Sequence, residues 1–132
     1  MAVRRTQKPI TINQSERVVV EFVQGASVER NVMFMAPDWV TPWPELASYS
    51  AQMDLRECPD DPEPLARLTS AEGHISLSDG GLIVWEIPES VSAALELERF
   101  GGDLFVYAPD GDAVHVYGVD FRMTLSHTAR RQ

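Results

Sequence analysis

Several features that mark common protein classes are scarce in this sequence. It contains one cysteine, Cys58, so no disulfide can form within the chain. Its longest mainly apolar run lies near residues 18–23, where Glu21 interrupts it, and a membrane span needs roughly 20 apolar residues. Basic residues at the N-terminus have no apolar segment behind them, so we expect no signal peptide. These absences argue against disulfide-rich, secreted and membrane-spanning classes.

Positive charge is scarce too, and it is unevenly placed. The 132 residues include 11 basic and 20 acidic residues, a net charge of −9. Arg4, Arg5, Arg130 and Arg131 lie in the terminal tails, whereas residues 9–129 hold six arginines against all 20 acids, a net charge of −14. Nucleic acids and anionic membranes both select basic surfaces, so we expect the body of the chain to bind neither. We predict that the tails contact acidic surfaces on neighbouring subunits.

Alternation between apolar and polar residues is the dominant pattern. Tyr49, Ala51, Met53 and Leu55 alternate with polar residues, as in a strand with one buried face. Strands are also predicted at 17–24, 75–77, 83–87, 104–107, 113–117 and 119–125. Glycine-containing turns at 79–81 and 109–112 separate two pairs of these strands. Strands at this spacing are typical of an all-β sandwich or barrel.

One helix is predicted between the strands. Pro88 is suited to its first turn, and Val91, Ala94 and Leu95 supply apolar positions. The pair at 101–102, Gly-Gly, is expected to end it. Such a short helix serves as a crossover between strands.

The segment Val32–Pro44 departs from the strand rhythm. It contains Phe34, Trp39 and Trp43 among several prolines, which favour an extended loop. Two interpretations are open. The segment either folds back as a lid over one end of the sandwich or presents a contact surface, since exposed tryptophan is enriched at binding hot spots.

Residues that carry catalysis or bind metals do not converge in the sequence. His74, His115 and His127 lack the spacing of metal ligands. The acidic residues at 60–63 are expected to be solvated, and those at 110–112 fit a turn better than a calcium loop. We therefore expect no catalytic residue, no metal site and no cofactor, and the chain is predicted not to be an enzyme.

The order of the segments is informative. The chain opens with Pro-Ile-Thr-Ile at 9–12 and a strand at 18–23, and a proline-led segment at 44–49 then leads into the strand that ends in Arg56. The middle of the chain has short strands at 65–69, 73–77 and 82–87, a glycine turn at 80–81 and a helical segment at 90–97. The last part has a strand at 102–107, an Asp-Gly turn at 110–111, a Gly-Val strand start at 118–119 and a Thr-Ala-Arg end at 128–130. This order resembles an immunoglobulin-like domain of tailed bacteriophages, found in upper baseplate proteins and related tail proteins. The segment 26–43 is longer and more aromatic than the hairpin usual in that family, which makes it the best candidate for what is particular to this chain.

The resemblance implies a fold and a role. The fold is an all-β, immunoglobulin-like antiparallel β-sandwich of about seven to nine strands with one short crossover helix. It is expected to form a single domain over residues 1–132, with basic terminal tails and an aromatic, proline-rich loop at about 30–45. The family has no catalytic residues. The implied role is that of a virion structural protein: a tail, baseplate or neck adaptor, or a fibre-attachment component.

Partners and location follow from that role. We expect contacts with other virion proteins and with further copies of the chain, in a particle assembled after synthesis in the host cytoplasm. The candidate interface residues are Phe34, Trp39, Trp43, Arg4, Arg5, Arg130 and Arg131. Two alternatives stay open: a capsid decoration or head-fibre protein, and a β-sandwich that binds a host carbohydrate or receptor through its tryptophans and acidic loops.

Overall fold

The alternating segments form strands that pack as two facing sheets. The computed structural model describes residues 10–12 and 16–126, and within them the strands are β1 (Ile10–Ile12), β2 (Glu16–Val23), β3 (Val28–Phe34), β4 (Ser50–Arg56), β5 (Ala66–Thr69), β6 (Ile75–Ser78), β7 (Leu82–Ile87), β8 (Arg99–Tyr107) and β9 (Ala113–Thr124). One sheet has the order β1-β3-β7-β6 and the other the order β2-β9-β8-β4-β5. The predicted all-β sandwich is confirmed.

Strand pairing is not antiparallel throughout. β1 pairs in parallel with β3 in the four-stranded sheet, and β2 pairs in parallel with β9 in the five-stranded sheet. The other described pairings are antiparallel. The start of the chain therefore contributes one strand to each sheet. Alternation reveals a strand but not its direction relative to a distant partner, which is why the sequence did not predict the parallel pairs.

Large apolar side chains from both sheets fill the space between them. Trp85 of β7 and Tyr117 of β9 are fully buried, and the Trp85 Nε1–H donates a hydrogen bond to the Tyr117 hydroxyl over 2.8 Å. Phe121 stacks on Phe100 with ring centroids 4.9 Å apart. Burial raises the pKa of Tyr117 to about 12, because the phenolate would lose its hydration. This polar link between the sheets stays neutral at ordinary pH.

The crossover helix is shorter than predicted. Helix α1 runs from Glu89 to Ala94, directly after Pro88 as expected. At its end, the buried Gln24 side-chain amide donates to the carbonyls of Ala93 and Leu95, at 3.3 and 2.6 Å, and so satisfies backbone groups that the helix leaves unpaired. No helix in the described residues is long and apolar enough to cross a membrane.

The prediction that Gly101 and Gly102 end the helix is wrong, because both lie in β8. Gly102 faces the core, where a Cβ atom would lie 3.0 Å from Leu55 Cδ2 and 3.1 Å from Met53 Cγ. The glycine is required here by close packing inside the sandwich and not by a turn.

Two further boundaries differ from the predictions. The two strands predicted at 113–117 and 119–125 are one strand, β9 (Ala113–Thr124), which continues through Gly118 with a register shift in its pairing at Leu104 and Phe105 of β8. The segment at 32–34 belongs to β3, because Val32 and Phe34 are buried at alternate positions of a paired strand. The aromatic loop therefore begins only after Phe34.

Candidate functional site

A short loop carries the exposed tryptophan. We call residues 35–45 the tryptophan arm. Its base is closed by a bridge between Met35 and Pro42, and the amide of Ala36 donates to the carbonyl of Thr41 over 2.8 Å. Trp39 sits at the turn with a left-handed φ of 62°. Its amide donates to the carbonyl of Ala36 over 3.0 Å.

Asp38 fixes the conformation of the arm. Its Oδ1 atom accepts hydrogen bonds from the amides of Val40 and Thr41, both at 2.9 Å, and its Oδ2 accepts one from the Thr41 hydroxyl at 2.8 Å. The amide donors hold the pKa of this carboxyl below its usual range because they stabilise the anion. The arm is thus a closed turn whose shape is set by its own hydrogen bonds.

The tip of the arm is apolar and faces solvent. Trp39 is 51% exposed and Val40 is 78% exposed. Trp43 is different: its ring stacks on Phe34 with centroids 4.6 Å apart, and its Nε1–H donates to the Tyr49 hydroxyl over 3.1 Å. Trp43 therefore anchors the base of the arm while Trp39 is presented at its tip.

The predicted interface residues thus separate into three groups. Phe34 is fully buried and belongs to the core, so its assignment to a contact surface is corrected. Trp39 is exposed and Trp43 is half-buried, and their roles in an interface stay predictions. The four tail arginines, Arg4, Arg5, Arg130 and Arg131, lie outside the described residues.

A second surface was not predicted from the sequence. Five of the six arginines in residues 9–129 lie on the solvent side of the five-stranded sheet, and each strand of that sheet contributes one. They are Arg17 on β2, Arg56 on β4, Arg67 on β5, Arg99 on β8 and Arg122 on β9. We call this surface the arginine face. Arg30, on β3, is the sixth and belongs to the other sheet.

Arg17 connects three strands of the arginine face. Its Nη2 atom lies 2.6 Å from Asp120 Oδ1, and its Nη1 atom lies 3.5 Å from Asp103 Oδ1. The hydrogen bond to Asp120 raises the pKa of Arg17 and lowers that of Asp120. The guanidinium lies over Gly118, where a Cβ atom would collide with it. The glycine makes room for the ion pair that ties β2 to the sheet.

Asp54 organises the other half of the face. Its Oδ1 lies 2.7 Å from Arg67 Nε, and its Oδ2 lies 3.2 Å from Arg56 Nη1. Burial acts to raise the pKa of Asp54, but the hydrogen bond from Arg67 and the charges of both arginines outweigh it, so that this pKa is lowered. Asp54 and the two arginines are therefore charged and paired at neutral pH.

Arg99 and Arg122 form the end of the face. They are direct partners in the register of β8 and β9, and both are exposed. In residues 10–12 and 16–126, no carboxylate lies within ion-pair distance of either one. A groove of about 520 Å³ opens beside them, with Gly101 and Asp103 among its lining residues and Phe105 and Tyr107 toward its other end.

Three of the carboxylates that line the groove are engaged by neighbouring side chains. Asp54, Asp103 and Asp120 each contact arginine, and His115 Nε2 lies 2.9 Å from Asp103 Oδ1. Within the described part of the chain, no three His, Cys, Asp or Glu side chains are grouped so that they could hold a metal ion.

One sequence signal for the arginine face existed. Arg56 and Arg122 each fall at a polar position of a segment that was predicted to alternate, so both were expected to face solvent. What the sequence did not show is that all five strands join one sheet.

Comparisons with known proteins add little to this geometry. No protein-family profile matches the chain, and no curated protein matches it significantly. Among solved structures, the chain is similar to the crystal structure of CopC from Methylosinus trichosporium OB3b, at 10% identity over 86% of each chain and a TM-score of 0.41. A likeness of this strength carries no argument about what the chain binds.

Proposed function

We propose that this chain is a structural component of a bacteriophage particle, in the tail, baseplate or neck, and that it acts by binding other virion proteins. The observation that carries the binding role is the tryptophan arm, which presents Trp39 and Val40 to solvent on a hydrogen-bonded turn. The phage context rests on the order of strands and turns, which resembles the immunoglobulin-like domain of baseplate and tail proteins.

The exposure and the rigidity of the arm both suit a contact with a partner protein. A tryptophan that is half exposed leaves apolar area in water, and this area is recovered when a partner covers it. The arm also loses little conformational entropy on binding, because Asp38 and the stacked Trp43 fix it beforehand. Large rigid aromatic side chains of this kind dominate the energy of many protein interfaces.

The carbohydrate-binding alternative has less support from the arm. A glycan platform needs aromatic faces that are open to the ligand beside available carboxylates. One face of Trp43 is covered by Phe34, and both oxygens of Asp38 accept hydrogen bonds from within the arm. The geometry therefore favours a protein partner for Trp39.

The first test is whether the chain is part of the particle. Particles are purified, separated into tails and heads, and analysed by mass spectrometry. We expect the chain in the tail fraction at a fixed ratio to the other tail proteins. Recovery from heads alone would replace the proposal with the capsid-decoration alternative, and absence from both fractions would overturn the virion role.

The second test is Trp39→Ala in the intact phage. We expect the variant chain to fold normally, since exposed substitutions change stability by about 0.5 kcal/mol or less, and to be largely lost from particles. Leu65→Ala is the matched control, because Leu65 is also an exposed apolar side chain, at 42%, but lies outside the arm. Full incorporation of the Trp39 variant would contradict the proposal. Normal assembly with failed adsorption to cells would instead support receptor binding.

A further inference from the structure

The arginine face and the remainder of the described molecule differ in net charge. The arginine face holds five arginines and the five acidic residues Glu21, Asp54, Glu57, Asp103 and Asp120, so that its net charge is zero. The remainder of residues 10–126 holds Arg30 and 15 acidic residues, a net charge of −14. The described molecule outside the arginine face therefore carries a large excess of negative charge, which the arginine face lacks.

Within that face, the positive charge that is available to a partner lies at one end. Arg17, Arg56 and Arg67 are each engaged by Asp120, Asp103 or Asp54. Arg99 and Arg122 lie opposite each other on β8 and β9, and no described carboxylate lies within ion-pair distance of either. Glu21 is the register neighbour of Arg122 on β2, and the charge of Arg122 helps to lower the pKa of Asp120, so Arg122 is partly compensated, whereas Arg99 has Arg122 as its register partner and no acidic one. Like charges directly opposite each other on adjacent strands destabilise a sheet unless a counter-charge is supplied.

The chain itself offers that counter-charge. Its own acidic remainder is the complementary surface that the structure shows, and the proposed assembly into particles brings copies together. Continuous phosphate would fit this face poorly, because Asp54, Asp103 and Asp120 are interleaved with the arginines. Carboxylates on separate side chains of a folded protein can instead pair with Arg99 and Arg122 individually.

We propose that the groove beside Arg99 and Arg122 docks the acidic surface of a second copy of this chain. The contact joins two different surfaces, so it is heterologous, and repetition of it builds rings or open chains instead of a two-fold dimer. The inference deepens the proposed function by naming one partner and the surface that meets it, and it rests on that function only for the expectation that copies meet.

The test begins with sedimentation of the purified full-length chain over a range of protein and salt concentrations. At low salt we expect species larger than a dimer that grow with protein concentration. Raising the salt shortens the Debye length, which is about 10 Å at 0.1 M, and should dissociate them. A chain that remains monomeric at low salt and high concentration overturns the inference.

Arg99→Gln/Arg122→Gln identifies the surface. We expect it to weaken self-association at least about tenfold, the scale measured for close interfacial charge pairs. The control is Ala71→Glu/Ser90→Glu, which makes the same change of −2 in net charge at two exposed positions outside the five-stranded sheet. Unchanged association of the arginine variant, or equal weakening in the control, overturns the inference.

Mixing tests the heterologous geometry. The arginine variant keeps its acidic surface, so it should add to one end of a wild-type chain and stop further growth, lowering the mean mass of the mixture. If the wild-type chain forms only dimers and the variant does not cap them, the two copies pack face to face and the proposed geometry is overturned. A monomeric chain that is nevertheless found in purified particles would overturn this inference and leave the proposed function standing.

Discussion

The two outer faces of the sandwich carry different chemistry although both are made by alternating strands. The five-stranded sheet presents an arginine from each of its strands, most of them paired with aspartate. The outward positions of β3, β6 and β7 carry no arginine, and Glu29 and Glu86 are register partners there. Among the described strands, exposed arginines are therefore concentrated on the outer face of the five-stranded sheet.

The two sheets also differ in what holds their outer parts in place. At the β6–β7 hairpin of the four-stranded sheet, the Gly81 carbonyl accepts a hydrogen bond from the Phe34 amide over 2.7 Å, and the backbones lie so close that there is no room for a Cβ atom on Gly81. In the five-stranded sheet, β2 is tied across the surface by exposed ion pairs. Backbone clashes are costly and exposed ion pairs contribute little, so changes at the hairpin should have the larger effects.

The largest effect is expected from Gly81→Ala. A Cβ atom at this position would lie 2.6 Å from the Phe34 carbonyl oxygen, and Gly81 has a left-handed φ of +87°. We expect a loss of roughly 2–4 kcal/mol in the free energy of unfolding, measured by urea denaturation. Gly80→Ala is the control, since it has a similar φ of +96° but no atom within 4 Å. Equal losses in the two variants would contradict the role of the contact.

The next largest effect is expected at the hydrogen bond between Trp85 and Tyr117, which links the two sheets. Tyr117→Phe removes the hydroxyl that accepts the Trp85 Nε1–H bond and leaves a buried donor without its partner. We expect a loss of about 1–3 kcal/mol in the free energy of unfolding. In the wild-type protein, ultraviolet titration should show one tyrosine that does not ionise until about pH 12. A Phe variant of wild-type stability would mean that the link is energetically neutral.

A smaller effect is expected at the arginine face from Gly118→Ala. The added Cβ displaces the Arg17 guanidinium and weakens its pairs with Asp120 and Asp103, which should cost about 1 kcal/mol or less. In an Arg17→Ala background the clash is absent, and the alanine should be neutral or stabilising because it restricts the unfolded chain. A cost that persists in that background would show that Gly118 acts through something other than Arg17.

The smallest effect is on the pH dependence of stability. The pKa values of Asp54 and Asp120 are lowered in the folded chain, so the stability they contribute is present above their unfolded pKa, near 4, and is lost as pH falls through the folded values. The expected contribution is about 0.2–1 kcal/mol for each group. Thermal melts from pH 7 to pH 3 of Asp54→Asn and Asp120→Asn should each show a shallower acid slope than the wild type.

Most strands and turns were predictable, whereas the ends of elements were less so. The pattern at 49–55 indicated β4 correctly, because alternate burial is a local property of a strand. The helix boundary was wrong because Gly101 and Gly102 were interpreted as a local stop signal, while Gly102 is required by packing against Met53 and Leu55. Phe34 was assigned to a surface for a similar reason, since its burial depends on β7 and on the stacked Trp43.

The sequence by itself determined that this chain is acidic and rich in alternating strands, with a tryptophan-bearing segment between two of them. Those properties follow from composition and from the two-residue period of a strand, which are local. Only the tertiary structure decided which strands share a sheet. Arg17 and Asp120 meet although they are 103 residues apart, because β2 pairs in parallel with β9. Together with the pairings among β4, β5, β8 and β9, this brings five separate arginines onto one face. Long-range pairing depends on the fit of whole faces, and no local pattern encodes it.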